Sequence, residues 1–196
     1  MKNFFVQSGN RGCSAGTHWT EGGIEMALWY FWIYSFLGYL LEKVFAKATR
    51  AAQQGRKCFL LFPLCPVYGL GMLAVLALPE RWTAGGWLVV AGGLTATAVE
   101  YLVHWAYDVF FGVRFWDYSR VFGNLRGRVC LPFTLIWGVF TAMAVRWVHP
   151  VVQAMAERTL PEVTWLCLMA FSIDALLSLR FLWVTGDPER LRADQS

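Results

Sequence analysis

Five apolar runs, separated by short polar and charged stretches, organise this chain, at about 26–45, 59–78, 87–111, 129–148 and 162–184. A helix needs roughly 20 apolar residues to cross a bilayer's hydrocarbon core, and each run is long enough. The pattern predicts an all-α integral membrane protein, a five-helix transmembrane bundle in a single domain from 25 to 185. A polar, glycine-rich arm precedes it (1–24) and a cytoplasmic tail follows (186–196). The arm shows no basic start followed by a short apolar run and a small-residue cleavage site, so no cleaved signal peptide is expected. The second run differs from the others. Its stretch Phe62-Pro63-Leu64-Cys65-Pro66-Val67-Tyr68-Gly69-Leu70-Gly71 cannot be regular helix throughout, because each proline lacks an amide donor and clashes with the preceding turn. A proline-broken second helix is expected. Carbonyls freed by the break need partners from protein or water. Such breaks line binding sites in transporters, and they also occur as plain kinks.

Composition agrees with the pattern. Of 196 residues, 57% are apolar and 15% charged, where about 25% charged is usual in a soluble domain. A soluble chain of this length cannot bury so much apolar surface. That excludes an ordinary soluble enzyme, a disordered tail and a nucleic-acid module, and makes the lipid bilayer the main partner. The net charge of +4 fits loops that hold Lys and Arg on the cytoplasmic side. Lys47, Arg50, Arg56, Lys57, Arg114, Arg120, Arg126, Arg128, Arg190 and Arg192 fall on one side, against Lys2, Arg11, Arg81 and Arg158 on the other. The split predicts a multi-pass protein of the bacterial cytoplasmic membrane with its N-terminus outside and its C-terminus in the cytoplasm. Cys13, Cys58, Cys65, Cys130 and Cys167 show no metal-ligand spacing. They read as small apolar or interfacial residues, and no metal or other cofactor is expected.

Ionisable groups at membrane depth are costly, so each needs a partner or a purpose. Glu100, His104 and Asp108 lie at i, i+4 and i+8 of the third run, with Thr97 extending the stripe. That spacing puts them on one helix face. The stripe reads as a proton relay, a substrate wall or a metal site, or else as a polar network that only orients helices. Glu42 closes the first run beside Lys43; Asp174 lies in the inner half of the fifth, with Ser178 one turn on. Arg128 or Arg180 could pair with Asp174, and Tyr68 supplies a hydroxyl just past the proline break. With Glu42, Tyr68, His104, Asp108, Arg128 and Asp174 in the cytoplasmic half and Glu100 at mid-depth, the groups are expected to converge on one polar pocket. The loop from Gly112 to Ser119, with Trp116, Asp117 and Tyr118, is expected to close it. Asn124 would cap the fourth helix or turn the chain. Arg126 and Arg128 suit either an anion at that helix N-terminus or headgroup anchoring.

Four stretches resemble the bacterial membrane family of CmpB-like, ABC-transporter type IV permeases. Phe31 to Glu42 reads FWIYSFLGYLLE, with Tyr39 where the family has Trp; Pro63 to Gly69 reads PLCPVYG. Glu100-Tyr101 matches a Glu-Tyr pair. Trp116-Asp117-Tyr118-Ser119, followed by Asn124, Gly127, Arg128, Val129, Cys130 and Leu131, matches the most specific block. The resemblance supports Glu42, Tyr68, Glu100, Asp117, Asn124 and Arg128 as site residues; His104 is not part of it. It implies a membrane subunit of a transport system and no particular substrate; the converging polar residues, read by themselves, suggest a small polar or cationic substrate or protons bound in a cytoplasm-side cavity. The chain holds no GxxxxGK[ST] loop, so an ATPase would be a separate subunit. A further membrane subunit or a homo-oligomer is also open. The alternative is an intramembrane enzyme acting on a lipid or small apolar molecule through Glu100, His104 and Asp108.

Overall fold

A computed structural model describes residues 21–49 and 60–185. Most of the polar arm, the basic residues Arg50, Arg56, Lys57, Arg190 and Arg192, and Cys13 and Cys58 lie outside the described residues. Four helices are long and apolar enough to cross a membrane: Gly23–Ala48, Trp87–Phe111, Leu131–Ala156 and Pro161–Val184. The first belongs to α1 (Glu21–Thr49), which extends past the expected run at both ends.

The second run departs most from expectation. Its helix α2 is Pro66–Leu76, 11 residues, rising about 16 Å, roughly half the hydrocarbon thickness. It does not break in its middle; it starts at the second proline. Pro66 suits a first helical position, where no amide is required, and a proline disfavours helical backbone in the residue before it. Residues 60–65 therefore stay non-helical. Helix α2 begins level with the middle of α1, where the Cys65 amide donates to the Ser35 carbonyl at 2.9 Å. From there it runs back along α1, packing Met72 against Tyr30 and Tyr34. Gly38 makes this approach feasible, since a Cβ there would overlap the Tyr68 ring.

A short helix α3 (Glu80–Thr83), not foreseen, leads into α4 (Trp87–Phe111), which matches the expected third span. Helix α4 ends at Gly112, whose φ of 64° is left-handed, the usual helix stop. The fourth span is longer than its run. It joins α5 (Leu131–Met143), a π-helical turn at Ala144–Val148 and α6 (His149–Ala156). Pro150 falls within the first two positions of α6, so its missing amide is absorbed where the π turn has already widened the helix. Helices α4 and α5 touch backbone to backbone. A Cβ on Gly138 would meet the Val89 carbonyl, and one on Gly93 the Thr134 carbonyl. Small residues at such crossings let membrane helices pack by van der Waals contact, and Thr97 adds a 3.0 Å hydroxyl bond to Thr134. Helix α7 (Pro161–Thr185) meets α1 through Trp29, whose indole N–H donates to Thr164 at 2.9 Å.

Candidate functional site

The loop between α4 and α5 folds back onto the polar stripe. Two short strands, β1 (Asn124–Leu125) and β2 (Val129–Cys130), pair antiparallel, Asn124 opposite Cys130. Arg126 and Gly127 turn between them with φ of 54° and 69°, the doubly left-handed geometry that matches strand twist. Asn124 turns the chain and does not cap α5. Its amide donates to the Ser119 and Val121 carbonyls, while its oxygen accepts the Gly127 amide at 3.1 Å. Asp117 accepts from the Ser119 amide at 2.8 Å and its hydroxyl at 3.0 Å. The Ser119 amide, then its hydroxyl, hold the Asp117 carboxyl below the usual carboxylate range.

So folded, the loop meets each member of the stripe in turn. The Tyr118 hydroxyl donates to Glu100 at 3.1 Å. His104 Nε2 lies 2.9 Å from the Trp116 carbonyl, its ring edge-on to the indole. Arg128 reaches Asp108 at 2.7 Å and the Tyr101 hydroxyl at 3.1 Å, and Arg114 bonds the second Asp108 oxygen at 3.0 Å. The bond to Asp108, then that to Tyr101, raises Arg128 above its already high value. His104 and Asp108 thus fasten the loop to α4. Glu100, 3% exposed, is shared: the Trp137 indole N–H of α5 donates to its other oxygen at 2.9 Å.

Two hollows lie side by side here, and this carboxyl lines the inner one. The inner one, about 340 Å³, lies between α1, α2, α4 and α5 and includes Tyr34, Gly38, Tyr68, Glu100 and Trp137 in its wall. The outer one, about 660 Å³, opens under the loop and includes Glu42, Tyr68, Trp116, Asp117, Tyr118 and Trp137. Leu41, Tyr68, Trp137 and Phe140 line both. The Tyr68 ring stands edge-on to Trp137 at 5.5 Å, and its hydroxyl makes a short hydrogen bond to Glu42.

A family model described as "Putative ABC-transporter type IV" matches residues 29–179. The chain belongs to this family. No curated protein and no solved structure matches it. The type IV family name points to an ABC-transporter membrane component, and the helices make this a multi-pass membrane protein.

Within this type IV protein the predicted site residues divide. Glu42, Tyr68, Glu100 and Asp117 line the hollows. His104, Asp108, Asn124 and Arg128 build and hold the loop, so the stripe does not present three groups to one hollow, as the enzyme alternative requires. Asp174 and Ser178 form a separate centre. Asp174 accepts the Phe62 amide at 3.2 and 3.3 Å, and the Ser178 hydroxyl accepts the Leu61 amide at 3.1 Å. They support the non-helical segment ahead of α2; the expected Arg128 partner is held at Asp108 instead, because the hairpin carries it to α4. Glu100 and Asp174 are both buried, at 3% and 4% exposure, but they share neither of these hollows. Trp137 escaped the sequence reading, and Tyr118 was legible there only as part of the closing loop. Their one visible signal was a polar-tipped ring within or beside an apolar span. Among the described residues no group of three His, Cys, Asp or Glu side chains converges as a metal site.

Proposed function

We propose that this protein is the membrane subunit of a transport system, oriented N-terminus out and C-terminus in, and driven by a separate ATPase. A small polar or cationic substrate, or protons, would be taken up from the cytoplasmic side through the hollow under the loop. The observation that carries the reading is the pair of adjoining hollows with a carboxyl group on each: Glu42 in the outer, Glu100 in the inner, and Tyr68 and Trp137 between them. Each carboxyl is held by a donor from that dividing pair, Tyr68 on Glu42 and Trp137 on Glu100, so motion of the two rings would expose one carboxyl as it releases the other. The α4–α5 loop, tied to α4 through Trp116, Tyr118 and Arg128, is the element through which an ATPase would act on the hollows.

The test is isolation of the tagged full-length protein from its own membrane, with identification of any stably bound ATPase, followed by reconstitution of the pair in liposomes. ATP-dependent flux that falls with Glu100→Gln and survives Ser172→Ala supports the reading. Purification without an ATPase, together with no flux of any co-purified small molecule, removes it.

A further inference from the structure

We infer that the two hollows take an amphiphilic organic cation: a molecule with a bulky apolar body and one fixed positive charge. The inference rests on the transport reading above and names its substrate class. Charge is the first observation. Among the described residues, the charged side chains lining the hollows are Glu42, Glu100 and Asp117, all acidic, and no described Lys or Arg lines either wall. This holds in a chain whose net charge is +4. Two arginines of the α4–α5 loop, Arg114 and Arg128, are both held on Asp108.

The walls are the second. Tyr68, Phe133, Phe140, Trp116, Tyr118 and Trp137 line one or both hollows. Aromatic faces carry the negative side of the ring quadrupole, which attracts cations and packs apolar groups equally well. A sugar or a hydrated metal ion would leave these rings facing unmatched polar surface, and an apolar anion would face three carboxyl groups. Size is the third. Volumes of about 340 and 660 Å³ sit within the roughly 300–1,000 Å³ of pockets for drug-sized molecules, far more room than a proton or a bare ion needs. The body of such a cation packs against Trp137 and Phe140, and its charge lies toward Glu42 from the outer hollow or toward Glu100 from the inner.

Tetraphenylphosphonium and tetraphenylborate share one shape and carry opposite charge, so they separate this proposal from simple greasiness. Full-length protein in zwitterionic lipid nanodiscs is dialysed to equilibrium against each probe, with empty nanodiscs as the background. The expected result is saturable phosphonium binding, no saturable borate binding, and affinity lowered about tenfold or more by Glu42→Gln or Glu100→Gln. Equal saturable binding of the two probes, absence of saturable phosphonium binding, or binding indifferent to both substitutions overturns it. If Glu100→Gln does not fold, the probe pair on the unaltered protein still decides. The measurement needs neither ATPase nor flux. Its failure leaves the transport reading standing, and loss of the transport reading leaves the binding result readable.

Discussion

At the scale of single residues, the molecule spends its buried acids on specific donors. Asp174 is the plainest case, because it accepts a backbone amide that nothing in lipid could satisfy. Asp174→Ala leaves the Phe62 amide without that acceptor and should cost about 1–3 kcal/mol; Asp174→Asn, which keeps an acceptor oxygen, should cost less. Thermal unfolding of both variants in detergent measures the difference. Asp117 makes a prediction in pH. Its carboxyl is held below the ordinary range by the Ser119 amide and hydroxyl, so its contribution is present above the unfolded value near 4 and is lost as pH falls through the lower folded value. The protection factor of the Ser119 amide, taken against its intrinsic exchange rate, should therefore fall on acidification below about pH 4, while Asp117→Ala, which removes the acceptor, loses that protection already at neutral pH. The stripe at 100, 104 and 108 was legible in the sequence, since helical spacing alone puts those residues on one face. What they face was not. That depends on the left-handed turn at Arg126 and Gly127, which decides where Trp116, Tyr118 and Arg128 arrive, and residue identities spread over a loop do not encode that placement.

At the scale of elements, glycine positions govern which helices can approach. Gly138→Leu would drive a side chain into the Val89 backbone, where overpacking costs about 1–3 kcal/mol and separates α4 from α5. Gly71→Ala is the counterpart: a Cβ at Gly71 meets nothing within 4 Å, and a helix gains about 0.5–1 kcal/mol from the exchange. Melting temperatures of the two variants should therefore move in opposite directions. Hydropathy located the third and fifth spans nearly to the residue, because long apolar runs have few alternative structures. It overestimated the second, since composition at 59–65 is as apolar as a helix while the prolines forbid one. It ended the fourth too early, because a proline reads as a stop unless a π turn stands before it.

At the scale of the whole molecule, Leu41, Tyr68, Trp137 and Phe140 form a common wall between two hollows, and the loop stretch from Phe115 to Val121 borders the larger one. The proposed orientation gives a direct expectation. In a cysteine-free background, Arg81→Cys on the α3 side should react with an impermeant maleimide in intact cells, and Phe122→Cys near the hairpin should react only after permeabilisation. The reverse pattern would turn the topology over. Family and span layout were readable from short motifs and apolar runs. The hollows were not, because they exist only where α1, α2, α4 and α5 come together. One further consequence concerns how the chain is made. Leu61 and Phe62 leave the ribosome long before Asp174 and Ser178 do, and until the last helix arrives those two amides lack their acceptors. The docking of this early segment onto the last helix is therefore completed late in synthesis. A chain truncated before residue 174 would lack both of these contacts, so the N-terminal half and α7 are tied together only once the C-terminal helix is made.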